Sequence, residues 1–161
     1  MRDRQIQRLA LGGLMAALVL LLTAALKLPV PATGGYIHLG DGMIFLAAWL
    51  LGPYAALCAA VGSALADLLG GYFIYIAPTF LIKGAMGYLA GKTLRTANVP
   101  MRVAILILAE LIMVAGYFLF EGVTMSWAAA IAAVPANLIQ GAGGVLFGLG
   151  FCVLGKRLPQ F

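Results

Sequence analysis

Charged residues are scarce in this sequence. Asp, Glu, Lys and Arg make up 9% of its 161 residues, against about 25% in ordinary soluble domains. Hydrophobic residues make up 64%. This composition excludes a soluble globular domain, and no stretch is polar enough to form a disordered segment or a solvated second domain. We therefore expect one compact membrane domain over residues 1–161.

Residues for metal, nucleotide and covalent chemistry are also few. Cys58 and Cys152 lie within apolar runs, and His38 is the single histidine, so neither a metal site nor a cofactor is expected. A phosphate-binding loop of the GxxxxGK(S/T) kind is absent, so any ATP hydrolysis must take place on a partner. No nucleophile and base are suitably spaced, and no basic block is dense enough for nucleic acid. We predict that the protein is not an enzyme and binds no nucleic acid.

Long apolar runs dominate what is present. The first, residues 9–28, follows three arginines; its length of about 20 residues predicts a transmembrane helix rather than a signal peptide. The next segment, residues 29–41, is rich in Pro and Gly and predicts a structured loop. Pro135 is expected to start or kink the last helix. The remaining apolar runs cover residues 43–69, 79–93, 101–120 and 127–154.

The distribution of positive charge decides how residues 43–69 cross the membrane. They could form one kinked helix, or two helices joined by a turn at Gly52 and Pro53. With that turn in the cytoplasm there are six helices, and most basic residues share one side, as the positive-inside rule requires. We predict an all-α integral membrane protein of the bacterial cell membrane, a six-transmembrane-helix bundle with both termini cytoplasmic. The residues on the cytoplasmic side are Arg2, Arg4, Arg8, Lys92, Arg95, Arg102, Lys156 and Arg157.

The second of these six helices is short. Residues 42–51 would rise about 15 Å as a helix, against about 30 Å of hydrocarbon. The preceding extracellular loop must therefore dip into the protein. Non-helical backbone at membrane depth is tolerated only inside protein or along a cavity, so we expect residues 29–40 to cover a cavity.

Most polar side chains of the spans fall in the extracellular half of this bundle. Ionisable groups within spans are costly and usually face one another or a wet cavity, so one outward-opening pocket accommodates them. Tyr117 and Glu121 share a helix face with Glu110, and Asn137 shares one with Gln140. We predict a substrate-binding set of Tyr36, Asp41, Lys83, Tyr117, Glu121, Asn137 and Gln140.

Structural roles are the alternative for these residues. Lys83 could form a buried ion pair with Asp67 instead of facing a ligand. Asp41 could cap the second helix, and Glu121 could lie in interfacial water. The two amides of the sixth helix could hydrogen-bond between helices.

Glu110 lies near mid-span and is expected to form a buried hydrogen bond to a neighbouring helix rather than to contact a ligand. In a second functional hypothesis, the carboxylates of Asp67 and Glu110 could serve as proton or ion relays. The protein would then be a homo-oligomeric, ion-coupled secondary transporter.

Small residues mark the cytoplasmic half of the first helix. Gly12, Gly13, Ala16 and Ala17 form two overlapping pairs at four-residue spacing, which allows helix backbones to approach closely in lipid. They could pack within the bundle or dock a partner subunit.

Seven segments together resemble the substrate-binding S-components of energy-coupling factor (ECF) vitamin transporters, especially the hydroxymethylpyrimidine, pyridoxine and riboflavin-type group. They are residues 35–42 (GYIHLGDG), 51–53 (LGP), 62–67 (GSALAD), 82–84 (IKG), Glu110, 116–118 (GYF) and 135–140 (PANLIQ).

The resemblance implies a six-helix subunit that captures a vitamin from outside, beneath its first extracellular loop, with no cofactor of its own. Such a subunit pairs with a membrane T-component and two cytoplasmic ATPases and topples to release its cargo inward. The small residues of the first helix match the family's alanine-rich T-component motif, with glycine replacing the first alanine of each pair. A pyridoxine-like or hydroxymethylpyrimidine-like heterocycle is the implied substrate.

Overall fold

A computed structural model describes residues 2–154 of the chain, with side chains from residue 5 onward. Short 3₁₀ turns at Gly52–Tyr54 and Phe73–Tyr75 precede the third and fourth helices. The side chains of Arg2 and Arg4, and the whole of Lys156 and Arg157, lie outside the described part. Within residues 2–154 the α-helices are α1 (Arg2–Ala25), α2 (Gly40–Leu51), α3 (Ala55–Gly70), α4 (Ile76–Thr93), α5 (Val99–Thr124) and α6 (Trp127–Leu154).

Several helical segments are long and apolar enough to cross a membrane. The predicted class, an all-α multi-pass membrane protein, is therefore confirmed. Because α2 and α3 follow each other almost without interruption, they count as one apolar segment by length and composition. Within the described residues the five segments are Gln5–Ala25, Gly40–Gly70, Phe73–Thr93, Val99–Thr124 and Trp127–Leu154.

The chain reverses direction between α2 and α3. Gly40, which begins α2, lies beside Thr23 near the end of α1, so these two helices are antiparallel. The thiol of Cys58 in the first turn of α3 lies 3.4 Å from the carbonyl oxygen of Gly12, and Gly62 lies against Ala16, so α3 begins beside the first half of α1 and runs parallel to it. Gly52 at the turn has φ of 60°, which glycine adopts without steric penalty.

Helix α2 lies at the centre of the bundle. It packs against α1, α3, α4 and α6, and nearly all of its 12 residues are buried. Phe45 and Trp49 of α2 join Met86 of α4 and Leu106 and Met113 of α5 in one apolar core. At about 18 Å, α2 is too short to cross the hydrocarbon alone.

The segment between α1 and α2 folds into a β-hairpin. Strands β1 (Leu28–Val30) and β2 (Gly35–Ile37) pair antiparallel, with Leu28 opposite Ile37. The amides of Thr33 and Gly34 close the turn on the carbonyl oxygen of Val30. A structured loop was predicted here, but not its strands. We call the side of the bundle that carries this element the hairpin end.

Some helix limits differ from the predicted ones for local reasons. Helix α1 ends at Ala25 rather than at residue 28, because Leu28 precedes a proline and is disfavoured in helical conformation. Helix α5 begins two residues earlier than predicted, since Asn98 caps it by accepting a hydrogen bond from the Met101 amide at 3.0 Å. Pro135 lies inside a continuous α6 and does not start it. The predicted start of α6, residue 127, coincides with the observed one.

Candidate functional site

A small polar cavity lies beneath the hairpin. Its volume is about 30 Å³, room for one or two water molecules. The hairpin, the end of α3, the 3₁₀ turn before α4, the start of α4, the end of α5 and the first half of α6 contribute to its wall. Its polar lining residues are Thr23, Thr33, Tyr36, His38, Ser63, Asp67, Tyr75, Thr79, Tyr117, Glu121, Asn137 and Gln140.

A buried polar chain connects the hairpin to three helices. The Lys83 ammonium of α4 lies 2.5 Å from Asp41 Oδ1 of α2. Gln140 Nε2 of α6 donates to the other oxygen of Asp41 at 2.7 Å, and Gln140 Oε1 accepts from the amide of His38 at 2.9 Å. Asp41 and Lys83 have no exposed surface. Gln140 therefore joins the cavity wall to the ion pair.

The structure shows neither of the alternative roles considered for Lys83 and Asp41. In residues 5–154 the ion pair of Lys83 is with Asp41, not with Asp67. Asp41 lies in the first turn of α2, but no side chain caps that helix, because both carboxylate oxygens are used by Lys83 and Gln140. Neither Asp41 nor Lys83 is among the cavity-lining residues.

Two tyrosines approach the other carboxylates of the cavity. The Tyr36 hydroxyl, on the hairpin, donates to Asp67 Oδ1 of α3 at 2.7 Å. The Tyr75 hydroxyl lies 3.1 Å from Glu121 Oε1 of α5 and 3.2 Å from the carbonyl oxygen of Thr33. Asp67 and Glu121 are each 4% exposed, so Glu121 does not lie in interfacial water.

Several buried polar atoms on the cavity wall lack a hydrogen-bond partner among the described residues: Thr23 Oγ1, Ser63 Oγ, Asp67 Oδ2 and Glu121 Oε2. A buried polar atom without a partner costs about 1–3 kcal/mol, so such atoms are rare unless water or a ligand serves them. Their convergence on one cavity makes it the candidate site in the described part of the chain.

His38 at the end of the hairpin is held in its neutral form. Its Nδ1 accepts a hydrogen bond from the Gly40 amide at 3.0 Å, which leaves the proton on Nε2. Burial lowers the pKa of His38 from 6.5 to about 3. Burial, and then the neighbouring Asp67, raise the pKa of Tyr36 above its usual value. Both side chains are therefore uncharged at neutral pH.

The structure brings five of the seven predicted binding residues to the cavity. Asp41 and Lys83, the other two, lie behind Gln140 in the polar chain described above. Tyr75 was not predicted; its position in a short turn before α4 gives no periodic signal. Asp67 was expected among the polar groups of the extracellular half but was not chosen as a binding residue. The five lining residues are Tyr36, Tyr117, Glu121, Asn137 and Gln140.

Tyr117 and Lys27 complete the surroundings of the cavity. The Tyr117 hydroxyl of α5 is 2.9 Å from the Thr79 hydroxyl of α4. The Lys27 ammonium lies 4.5 Å from the Tyr36 ring centre and 5.0 Å from that of Tyr72, within the range of a cation–π interaction.

Glu110 does not form the interhelical hydrogen bond expected of it; that prediction is wrong. The residue is 4% exposed, and neither carboxyl oxygen has a hydrogen-bond partner among the described residues. Its side chain lies against Gly141 and Gly144 of α6, which have no side-chain donor to offer. Among the described residues, no group of three or more His, Cys, Asp or Glu is placed to hold a metal ion.

A second, larger depression lies between α1 and α3 at the opposite end of the bundle. This groove has a volume of about 530 Å³ and is lined by Gly12, Gly13 and Ala16 of α1 together with Tyr54, Leu57, Cys58 and Val61 around α3. Ala17 is exposed outside the groove. Three of the four predicted partner-binding residues thus share one open surface.

A bundle of apolar helices with a small polar cavity at one end defines a multi-pass membrane protein. Residues 4–157 match the family described as "ECF-type riboflavin transporter, S component". The chain belongs to this family of transport proteins, as the sequence resemblance predicted, and it is not an enzyme.

Two relatives align with most of the chain. A protein of Pyrococcus woesei, described as "Uncharacterized protein in gap 3'region", is 34% identical over 140 residues, which cover 84% of this chain and 93% of that protein. The "Thiamine precursor transporter HmpT" of Lactococcus lactis subsp. cremoris (strain MG1363) is 33% identical over 143 residues, which cover 87% of this chain and 82% of that protein.

Proposed function

We propose that this protein is the substrate-specificity subunit of an ATP-driven ECF importer, and that it binds a small vitamin or vitamin precursor at the hairpin end. The observation that carries the proposal is the cluster of unpartnered, buried polar atoms around one cavity in an otherwise apolar bundle. Family membership and the relative described as a thiamine precursor transporter support a heterocycle of the hydroxymethylpyrimidine or pyridoxine type.

Seven residues form the proposed binding site, in two layers. Tyr36, Tyr117 and Glu121 face the ligand with ring surfaces, hydroxyls and a carboxylate. The amides of Asn137 and Gln140 can accept and donate hydrogen bonds in the same cavity. Asp41 and Lys83 act from behind as positioning residues, because they hold the Gln140 side chain in place.

Ligand entry requires the hairpin to move. A cavity of about 30 Å³ is too small for a six-membered ring with substituents. Tyr36 ties the hairpin to α3, and Tyr75 ties it to α5 through the Thr33 carbonyl oxygen and Glu121. We propose that these hydrogen bonds break when the site opens and form again over the bound ligand.

We further propose that residues 1–161 form one six-helix domain of a bacterial cell membrane, with both termini cytoplasmic and the hairpin outside. The side of the bundle opposite the hairpin carries Arg8, Lys92, Arg95 and Arg102, which the positive-inside rule assigns to the cytoplasm. Its partners are a T-component, which docks in the α1–α3 groove, and two ATPase subunits. The reversal of the chain between α2 and α3 supports six crossings.

The direct test is to purify the protein in detergent and identify co-purified small molecules by mass spectrometry. Titration with hydroxymethyl-aminopyrimidine, pyridoxine and riboflavin then ranks the ligands. We expect one of these to bind with submillimolar affinity. A folded, monodisperse protein that binds none of them would contradict the proposal, as would uptake that persists without the T-component and ATPases but collapses with an uncoupler.

A further inference from the structure

The cavity wall is rich in hydrogen-bond acceptors and poor in positive charge. Asp67 and Glu121 each give one oxygen to a tyrosine and leave the other, Asp67 Oδ2 or Glu121 Oε2, without a partner among the described residues. Both carboxyl groups are buried at the same cavity. Across residues 5–154, no lysine or arginine lines it.

The two nearest lysines are already engaged elsewhere. Lys83 pairs with Asp41 behind the wall. Lys27 donates to the carbonyl oxygen of Ala66 at 3.3 Å and lies over the rings of Tyr36 and Tyr72. Neither ammonium group is therefore available to neutralise a negative charge inside the cavity.

We propose that the cavity selects a ring compound with N–H donors, such as an amino group or a protonated ring nitrogen, and that Asp67 Oδ2 and Glu121 Oε2 accept its hydrogen bonds. The same wall rejects anionic compounds, phosphate esters included. The inference rests on the proposed function, because it names the chemical class of ligand for that same site.

Two physical effects support this selectivity. A buried acceptor left without a partner carries its full desolvation cost, so an N–H donor gains most at these two oxygens. A ligand with an ether oxygen at the same position would set acceptor against acceptor and leave both oxygens without a partner. A site that hydrogen-bonds an N–H group discriminates strongly against an analogue that lacks it. A phosphate would add negative charge beside two buried carboxylates.

The first experiment compares three ligands on the purified wild-type protein by isothermal titration calorimetry. The probes are hydroxymethyl-aminopyrimidine, the analogue with a methoxy group in place of its amino group, which has no N–H donor, and the monophosphate ester of the amino compound. We expect the amino compound to bind at least about tenfold more tightly than either of the others. Equal binding of the amino and methoxy compounds, or tighter binding of the ester, would overturn the inference and leave the proposed function intact.

The second experiment assigns the selectivity to residues. Asp67→Asn and Glu121→Gln preserve the shape of the side chain but remove an acceptor oxygen from the cavity. Each should weaken binding of the amino compound about ten- to hundredfold and reduce its affinity advantage over the methoxy analogue. Glu110→Gln is the matched control, since Glu110 is equally buried but does not line the cavity, and it should bind like wild type. Unchanged discrimination in both cavity variants, once they are shown to be folded, would overturn the assignment. If none of the heterocycles bound to the folded wild-type protein, that result would instead contradict the proposed function itself.

Discussion

Asp41 and Lys83 form an ion pair that solvent does not reach. Desolvation makes such a pair costly to assemble, but loss of one partner costs more, because the remaining charge is left buried and alone. Gln140 donates to the second oxygen of Asp41 and so completes its coordination. The pair therefore contributes to specifying how α2, α4 and α6 meet.

Removing the cation alone should be strongly destabilising. We expect Lys83→Met to lower the free energy of unfolding by about 3–5 kcal/mol, measured by denaturant titration in detergent micelles. The double variant Lys83→Met with Asp41→Asn should regain at least half of the loss, because no buried charge remains. Lys92→Met, on the exposed side of α4, is the control and should change stability by less than about 0.5 kcal/mol. A double variant as unstable as the single one would show that charge is not the cause.

His38 should make stability fall at acidic pH. Burial lowers its pKa from 6.5 to about 3, so the unfolded chain binds a proton that the folded chain does not. Its contribution is complete above pH 6.5 and is lost as the pH falls toward 3, by at most about 1.4 kcal/mol per pH unit. His38→Asn keeps an acceptor for the Gly40 amide but cannot titrate, so its melting temperature should fall less than wild type between pH 7 and 4.5. Parallel pH profiles would count against this role of burial.

At the scale of secondary-structure elements, the hairpin over the cavity is too short to be stable by itself. Its strands are three residues long, and isolated two-stranded hairpins are marginally stable in water. Side-chain contacts to α3, to the turn before α4 and to α6 therefore hold it in place. Tyr36 provides the shortest of these hydrogen bonds, to Asp67 at 2.7 Å.

Tyr36→Phe should loosen the closed site while keeping the ring contacts. We expect ligand dissociation to be about tenfold faster, because one hydrogen bond to a buried carboxylate is lost; stopped-flow chase experiments measure this rate. Tyr72→Phe is the matched control. The Tyr72 ring centre lies 4.5 Å from that of Tyr36, but the hydrogen bonds to the carboxyl groups of the cavity come from Tyr36 and Tyr75. Equal dissociation rates in both variants would refute the anchoring role of the Tyr36 hydroxyl.

Helices α1 and α3 approach most closely at a glycine. A Cβ atom on Gly62 would lie 2.5 Å from the carbonyl oxygen of Ala16, whereas one on Gly13 would meet nothing within 4 Å. Gly62→Ala should therefore destabilise the protein by about 1–3 kcal/mol. Gly13→Ala should be neutral or up to about 1 kcal/mol stabilising, because alanine favours helix. Similar unfolding curves for the two variants would disprove the close contact.

Sequence reasoning predicted the helices better than their side-chain pairings. Apolar runs fix where helices lie, so the start of α6 was predicted at its observed residue, Trp127. The partner of Lys83 depends on how helices rotate and tilt in the bundle, so the sequence suggested Asp67 where the structure has Asp41. Tyr75 and the hairpin strands escaped prediction because short segments carry too little periodicity to distinguish strand or turn from loop.

At the scale of the whole molecule, two distinct surfaces lie at opposite ends of the bundle. The polar cavity lies at the hairpin end, and the apolar groove of α1 and α3 lies at the other. Ligand binding and partner docking are therefore expected to be separable by mutation.

Gly13→Leu should add bulk to the groove without straining the helix packing, because a Cβ atom at this position meets nothing within 4 Å. We expect ligand affinity in the isolated protein to remain at the wild-type value, and co-purification with the T-component and ATPases to fall at least tenfold, roughly the cost of a poorly fitted apolar contact. Ala10→Leu adds the same bulk at an exposed position outside the groove and should leave assembly intact. Normal assembly of the Gly13 variant would exclude the groove as the docking surface.

Because α2 lies at the centre of the bundle, its short length does not have to match the thickness of the bilayer. Lipid tails contact the longer helices that enclose α2 and have almost no access to it. Hydrophobic mismatch therefore acts on the outer helices through their tilt. In thin and thick membranes alike, the depth of the solute chamber is set by protein packing rather than by the surrounding lipid.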